Sequence, residues 1–305
     1  MYGHIRYETE VTARVALLRA VVEALTAQLP AASMLAFRAV PELTEPAESD
    51  AIDEARRTSF DRKAELYDAV RPSYPAALVD DVIARCSPQR MLEIGAGTGK
   101  ATVVFARARR ELVALEPGAN LAAVLRRNVA GFSHVTVEET TFEAYAGRGF
   151  DLVYAAQALH WVDPAMRYAK PAELLRPGGA LAAITNEKAA MDPALRRELD
   201  AAYARWYPDG PRPIDLARVE RSWIDEFDAS GRFGPVHVGR FPWTASYTTR
   251  DYLALLDTYS DHAVLPDDQR RSLYAHIAGA IERHGGRVEI PYVAIVFLAF
   301  ARARA

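Results

Sequence analysis

The sequence predicts an α/β fold built on a doubly wound parallel sheet. From about residue 60 to residue 184, short apolar strands alternate with amphipathic helices, which is typical of a parallel sheet with helices on both faces. A glycine-rich loop joins the first strand to the following helix at residues 93–100. Half of the 305 residues are hydrophobic, which suits one large domain, alone or with an appended segment.

The first 55 residues predict a helical extension and a linker. Apolar residues recur at helical spacing over residues 11–29, and residues 41–50 are acidic and interrupted by prolines. We therefore divide the chain into an extension, residues 1–55, and a principal domain, residues 56–305.

Five apolar strands are predicted in the first half of the principal domain. Each is too short for a helix and is bounded by charged or glycine-containing segments. They are residues 90–94, 112–115, 135–137, 151–156 and 180–184.

Helices precede and separate these strands. Helical spacing of apolar residues predicts them at residues 60–70, 78–83, 100–109 and 119–129. A further helix should open with Asp163 as its cap and Pro164 at its first position. Pro171 lies inside that helix and should kink or shorten it, and residues 177–179, Pro-Gly-Gly, should end it.

The last third of the chain has a different pattern. Two helices follow the fifth strand, then an extended segment, two more helices and a final strand. These elements are residues 193–206, 215–229, 236–247, 250–259, 267–283 and 288–300.

Composition excludes several classes of function. A formal net charge of −3 argues against a nucleic-acid-binding face. Cys86 is the only cysteine, so no internal disulfide or cysteine metal cluster can form, and the histidines show no metal-ligand spacing; we therefore expect no metal. The longest apolar run, residues 292–300, is far shorter than the roughly 20 residues of a membrane helix. Without a secretory pattern at its N-terminus, the chain is expected to be cytoplasmic.

The glycine loop indicates the class of cofactor. A phosphate-binding loop needs glycine at position 94 and Ser or Thr at position 101, where this chain has Ile94 and Ala101. The dinucleotide fingerprint needs a third glycine at position 100, which is Lys100; this weakens a nicotinamide or flavin interpretation but leaves it open.

What remains is an acidic residue, Glu93, two positions before the alternating Gly95, Gly97 and Gly99. A carboxylate at this edge of the sheet suits S-adenosylmethionine, which carries an ammonium and a sulfonium and no phosphate. Glu116 ends the second strand, where its carboxylate could accept both ribose hydroxyls of an adenosine cofactor. The alternative is a solvated acid before a turn.

Five sequence blocks in this order resemble the class I S-adenosylmethionine-dependent methyltransferases. The resemblance runs from about residue 60 to residue 184, with weaker similarity to the end of the chain. The blocks are residues 92–99, 115–117, 140–143, 150–153 continuing through 157–163, and 174–179. Upstream, Phe60, Tyr67 and residues 71–75 resemble the helix that covers the cofactor in the branch similar to trans-aconitate methyltransferases, which act on small carboxylic acids.

The resemblance implies a Rossmann-like, seven-stranded sheet that is mostly parallel with an antiparallel last strand. Helices inserted at about residues 186–235 would form a lid over the substrate. It also implies S-adenosylmethionine as cofactor, S-adenosylhomocysteine as product and a small-molecule substrate. We further expect a monomer or homodimer, and from the charge and the short apolar runs no nucleic-acid or membrane partner.

The predicted cofactor-binding residues combine the glycine loop with the resemblance. They are Tyr67, Arg71, Glu93, Gly95, Ala96, Gly97, Thr98, Gly99, Glu116, Pro117, Thr141, Phe142 and Gln157. At positions 140 and 141 the chain has two threonines where many members have an acidic residue followed by alanine. Backbone amides near Phe142 would then bind the adenine.

His160, just past the fourth strand, is the candidate catalytic residue. It could take a proton from a hydroxyl, a phenol or an ammonium, or it could only pack the pocket wall with Trp161. A carboxylate acceptor would need no base. The predicted function is methyl transfer to a small molecule, on a carboxylate or hydroxyl oxygen. The alternatives are an NAD(P)-dependent oxidoreductase and a non-catalytic S-adenosylmethionine-binding protein.

Overall fold

The computed structural model describes residues 61, 63–208, 215–263 and 265–303. The helix predicted at residues 11–29 and the linker at 41–50 lie outside the described residues, as does Phe60.

A seven-stranded sheet in the order β3-β2-β1-β4-β5-β7-β6 forms the centre of the described structure. Its strands are β1 (Arg90–Ile94), β2 (Glu111–Leu115), β3 (Val135–Glu138), β4 (Phe150–Ala156), β5 (Leu175–Lys188), β6 (His237–Thr248) and β7 (Arg287–Phe300). The pairs β1–β2, β1–β4, β2–β3 and β4–β5 are parallel. Strand β7 runs antiparallel to both of its neighbours, β5 and β6, so the predicted antiparallel last strand is confirmed.

Helices cover both faces of this sheet, as the alternating pattern predicted. They are α1 (Ala64–Val70), α2 (Ala76–Cys86), α3 (Thr102–Ala106), α4 (Ala119–Asn128), α5 (Ala169–Leu174), α6 (Pro193–Trp206), α7 (Leu216–Ser230), α8 (Thr249–Asp257), α9 (Ser260–Ala263) and α10 (Asp267–Arg283).

Aromatic contacts identify the two layers. On one face α2, α3 and α4 pack against the sheet, and the ring of Phe105 stacks on Tyr154 with centroids 4.0 Å apart. On the opposite face Trp223 of α7 stacks on Phe297 of β7 at 5.8 Å, and Phe227 packs against Tyr168 beside α5.

The chain after β4 differs from its prediction. Residues 164–168 form turns, and the helix begins only at Ala169. Pro171 is therefore in the first helical turn, where an amide has no partner within the helix, so its missing N–H costs nothing there. Asp163 still accepts a hydrogen bond from the Ala165 amide, but this caps a turn rather than a long helix.

Strand β5 is longer than predicted at both ends. It starts at Leu175 and includes Pro-Gly-Gly at 177–179, which we expected to lie before it. The register against β4 shifts there, from Phe150 opposite Leu175 to Leu152 opposite Ala180, so a bulge accommodates these residues. At its other end β5 continues to Lys188, paired with Tyr292 of β7.

A second apolar cluster lies beyond the parallel part of the sheet. It joins Val70 at the end of α1 to buried residues of α6, α8 and α10 and of the extended ends of β6 and β7. Helix α6 thus packs with helices from the β6–β7 connection, whereas α7 packs on the sheet. Among the described helices none is both long and apolar enough to cross a membrane.

Candidate functional site

The glycine loop turns sharply at the carboxyl end of β1. Gly95, Gly97 and Gly99 have φ angles of +63°, +59° and +93°, which L side chains rarely adopt. A Cβ on Gly95 would lie 2.8 Å from the Cβ of Ala158, and one on Gly99 would lie 2.7 Å from Leu125. A Cβ on Gly97 would meet nothing within 4 Å, so this glycine faces open space.

Other loop residues hold this turn in place. The Ala96 amide donates to the Leu115 carbonyl at 2.9 Å, and Asn128 of α4 donates to the Thr98 carbonyl at 2.9 Å. Thr98 itself is fully buried. Ala96 and Thr98 therefore contribute to the loop through their backbone atoms.

Glu116 braces the loop from the end of β2. One carboxylate oxygen accepts the Gly97 amide at 2.7 Å and the other accepts the Gly118 amide at 2.8 Å. The residue is 5% exposed; burial raises its pKa, and the two amide hydrogen bonds oppose that rise. The neighbouring Pro117 is exposed.

Glu93 lies beneath the loop, in the sheet. It is 1% exposed, and the Tyr154 hydroxyl donates to its carboxylate at 2.9 Å. Burial raises the pKa of Glu93 to about 7, against the hydrogen bonds that favour its charged form, and the nearby carboxylate of Glu116 raises it further. Two carboxylates thus lie at the glycine loop, one beside it and one below it.

Helix α1 crosses this edge of the sheet and is tied along its length. Before it, Asp61 accepts hydrogen bonds from the backbone amides of Asn120 and Leu121 at the start of α4. In its last turn, Asp68 pairs with Lys100 at 3.3 Å, and Lys100 also donates to the Asp68 carbonyl. The lysine that departs from the dinucleotide fingerprint therefore joins α1 to the glycine loop.

Arg71 fixes the far end of α1. Its guanidinium donates to the hydroxyl of Thr258 at 2.7 Å and to the carbonyl of the same residue at 2.6 Å. It lies 4.9 Å from the ring centroid of Tyr67 and 4.5 Å from that of Tyr259. Tyr67 and Arg71 thus contact each other, as their spacing predicted, and both stand where α1 meets the residues after α8.

Gln157 connects the end of β4 to the end of β5. Its φ of +57° is unusual for a residue other than glycine, and such strain is common at functional sites. Its amide donates to the Ile184 carbonyl at 2.8 Å and its Nε2 donates to the Asn186 carbonyl at 3.1 Å. Asn186 in turn donates to the carbonyl of Ser73, in the segment between α1 and α2, at 3.2 Å.

The segment predicted to flank the adenine follows β3. Thr141 accepts the Ala144 amide at 3.2 Å, which stabilises a short turn. The Phe142 ring is buried, with the Lys170 ammonium 5.3 Å from its centroid. The ring of Phe142 therefore packs inside the protein, and its backbone is what this segment offers to a ligand.

His160 lies in a short 3₁₀ helix, Leu159–Trp161, directly after the strained Gln157. Its ring is 4.9 Å from that of Trp161, and Arg167 donates to its carbonyl at 3.1 Å. The side chain is half-buried. Its role as a base stays a prediction.

Sequence reasoning missed several residues of this region. Tyr154, which hydrogen-bonds Glu93, gave no signal because it lies within an apolar strand. Asn186 and Lys188 did carry one, since polar residues at the carboxyl end of a parallel strand border the ligand crevice. We had ended the fifth strand at Ile184 and so left both outside it. Among the described residues no three His, Cys, Asp or Glu side chains form a metal-binding group.

Comparison with known proteins agrees with this arrangement. Residues 92–183, from β1 through most of β5, match the family model described as a methyltransferase domain. An uncharacterized methyltransferase of Mycobacterium tuberculosis is 36% identical over 134 residues, which are 43% of this chain and 53% of that protein. The chain thus spans about half the length of this relative.

Two further proteins extend the similarity. An uncharacterized methyltransferase-like protein of Schizosaccharomyces pombe is 26% identical over 69% of this chain and 81% of its own length. A solved structure from Anaeromyxobacter dehalogenans, provisionally assigned as a type II methyltransferase, aligns with a TM-score of 0.56 at 22% identity. It covers 76% of this chain and 97% of its own. Residues 92–183 are therefore similar to a methyltransferase domain, and the sheet that contains them has a Rossmann-like fold.

Proposed function

We propose that this protein transfers the methyl group of S-adenosylmethionine to a small-molecule acceptor, on a carboxylate or hydroxyl oxygen. The observation that carries the proposal is the hydrogen bond from the Gly97 amide to the carboxylate of Glu116. In dinucleotide-binding folds the amides of this loop are left for a pyrophosphate. Here a carboxylate takes one of them, and the buried Glu93 lies below.

The Glu116 carboxylate at the loop disfavours a phosphate group and favours a cationic ligand, and a cation bound there would favour the ionised form of Glu93. A buried charge interacts strongly with nearby charges because few water molecules screen it. The strand order also differs from the dinucleotide-binding order, because antiparallel β7 stands between β5 and β6. Both observations speak against the NAD(P)-dependent alternative.

The residues at this edge fit S-adenosylmethionine. Gly97 faces open space in which a ligand can approach the backbone, and Glu116 stands beside it for the ribose. Tyr67 and Arg71 lie on the other side of this space. Gln157 and the backbone near Phe142 provide the remaining contacts for the ligand. When bound, this cofactor supplies a methyl group already activated by a sulfonium.

The protein's own task is then to align the acceptor and keep it there. A carboxylate acceptor needs no base, whereas a hydroxyl acceptor must lose a proton, for which His160 is the candidate. Replacing His160 by alanine separates the two cases: turnover falls about a hundredfold or more for a hydroxyl acceptor, and stays close to wild type for a carboxylate.

Calorimetric titration with S-adenosylhomocysteine, NADH and NADPH tests the cofactor. We expect S-adenosylhomocysteine alone to bind, and we expect Glu116→Ala and Glu116→Gln to weaken it. Glu111→Gln is the matched control, because Glu111 is an exposed carboxylate paired with Arg90 at the opposite end of β2. Binding of a nicotinamide nucleotide instead would overturn the proposal.

Incubation with methyl-labelled donor and a panel of small acids, alcohols and phenols tests catalysis. Labelled product supports the enzyme. Binding of S-adenosylhomocysteine with no labelled product from any acceptor would favour the non-catalytic binding protein. The cytoplasmic location and the choice between monomer and homodimer stay predictions.

A further inference from the structure

Lys188 ends β5 beside a cluster of aromatic side chains. Register places Lys188 opposite Tyr292 of β7, and Tyr292 opposite Trp243 of β6. Paired residues on neighbouring strands share a face of the sheet, so these three side chains lie in one row. The Trp243 and Tyr292 rings stack with centroids 5.2 Å apart.

A tyrosine from the connection after α8 completes this aromatic cluster. The Lys188 ammonium lies 4.8 Å from the ring centroid of Tyr259, whose ring also contacts the guanidinium of Arg71. Lys188 itself is solvent-accessible, and it forms no ion pair with a carboxylate in the part of the chain that the structure describes. An accessible cation set among aromatic rings is a natural partner for an anion.

The protonation states at neutral pH suit this role. Partial enclosure opposes the charged form of Lys188, but Tyr259 and Tyr252 outweigh it and raise its pKa, so the ammonium keeps its charge. Burial raises the pKa of Tyr247 to about 12, with Tyr259 adding to the rise, and burial also raises that of Tyr292. Both phenols therefore stay neutral.

The aromatic cluster adjoins the cofactor edge. Asn186 accepts the Gln157 side chain on its carbonyl and the Trp243 indole N–H on its side chain, at 3.1 and 3.0 Å. Lys188 is two residues further along the same face of β5, about 7 Å away at the usual strand rise. An acceptor held by Lys188 would thus lie next to Gln157.

We infer that Lys188 and its aromatic neighbours form the acceptor site, and that the acceptor is a planar, apolar small molecule bearing a carboxylate. The inference rests on the proposed function and adds the chemical class of its substrate. The ammonium binds the carboxylate, and the rings of Trp243 and Tyr259 contact the apolar body.

The affinities of two matched probes test the inference. Benzoate and its neutral counterpart benzamide are titrated by calorimetry into protein saturated with S-adenosylhomocysteine. We expect the wild type to bind benzoate about tenfold more tightly than benzamide, the worth of one charge-assisted hydrogen bond. Lys188→Met should remove that preference and Lys188→Arg should retain most of it.

Arg85→Met is the matched control, because Arg85 is an exposed cation paired with Asp81 on α2. It should leave the preference for benzoate unchanged. Equal affinity for benzoate and benzamide in the wild type, or an unchanged preference in Lys188→Met, would overturn the inference. Failure of the proposed function would be recognised separately, because the wild type would then not bind S-adenosylhomocysteine.

Discussion

Gly97 and Gly231 form a natural pair for testing the loop residue by residue. They have φ angles of +59° and +63°, and a Cβ on either would meet nothing within 4 Å. Alanine at either position is strained in the same way and should cost about 1 kcal/mol of stability. Gly97→Ala should also lose most affinity for S-adenosylhomocysteine, because its methyl group would occupy the space left for the ligand.

Gly231 ends α7, far from the loop in sequence and on the opposite face of the sheet. Gly231→Ala should therefore keep the affinity of the wild type. Thermal melts and calorimetry measure both properties. Equal affinities for the two variants would show that the open side of Gly97 does not face the ligand.

Glu93 gives the stability of the protein a particular pH dependence. Its pKa is about 7 in the folded protein and near 4.5 when unfolded, so the folded state holds the proton more tightly. The stability linked to this group is full below pH 4.5 and declines as the pH rises toward 7. Glu93→Gln keeps an acceptor for Tyr154 but never ionises, and should gain on the wild type by about 1.4 kcal/mol per pH unit over that window.

Urea denaturation at pH 5, 6, 7 and 8 measures this difference. The advantage of Glu93→Gln should grow up to about pH 7 and then stay constant. Glu111→Gln, at an exposed carboxylate, should show no such growth. A constant difference across all four pH values would mean that Glu93 is already ionised at pH 5.

At the residue scale, the sequence predicts which residue types lie at the site better than it predicts their hydrogen-bond and ion-pair partners. The three glycines and Glu116 could be predicted because a sharp turn beside a ligand restricts residue type. That the Glu116 carboxylate binds the loop's own amide could not, since it depends on where β2 ends relative to Gly97. The ties from Lys100 to Asp68 and from Arg71 to Thr258 likewise join segments whose relative position only the fold determines.

Helix α1 is the element whose attachment should govern release of the product. Lys100 ties it to the glycine loop through Asp68, with both side chains partly buried. Lys100→Met removes both contacts, so we expect S-adenosylhomocysteine to dissociate several-fold faster in a stopped-flow experiment. Asp68→Asn keeps the carbonyl acceptor and should show a smaller effect.

The matched control removes a second ion pair of the same helix, α1. Arg127 of α4 pairs with Glu65 of α1 at 2.8 Å, but both side chains are mostly exposed, and such pairs contribute little. Arg127→Met should leave the dissociation rate within about twofold of the wild type. Similar rates for Lys100→Met and Arg127→Met would contradict a role for the Lys100 tie.

Among the helices and strands, those with a clear pattern of apolar residues could be predicted. Those whose bounds depend on one or a few irregular residues could not. The helix at 193–206 agrees with the sequence because its apolar residues repeat at helical spacing, and the strand at 90–94 agrees because it is a short, mostly apolar run. The helix after β4 fails because Pro171 can occupy only its first turn, which moves its start from 164 to 169. β5 passes through its Pro-Gly-Gly because a bulge absorbs the irregular residues.

At the scale of the whole molecule, one apolar cluster lies below the glycine loop and a second lies near Lys188. The sheet core holds Met91, Leu112 and Leu152 below the glycine loop. The second cluster, with Leu255 and Ile290, includes Tyr292 and packs against the other aromatic side chains near Lys188. Helix α1 joins the two regions, since Arg71 at its end holds Thr258 and Asp68 near its end holds Lys100. The sequence indicated the first core by its alternating pattern, but the second brings together segments as distant as residues 70 and 290.

The central place of β7 has a consequence for synthesis. Among the described strands β6 pairs only with β7, and β7 also covers the outer edge of β5. β7 is the last of these strands to be translated, so in a nascent chain that has reached residue 286 the outer edge of β5 and both edges of β6 are unpaired. Such edges readily pair with the wrong partner. The sheet can close only when residues 287–300 have left the ribosome, and until then the nascent chain is most in need of a chaperone.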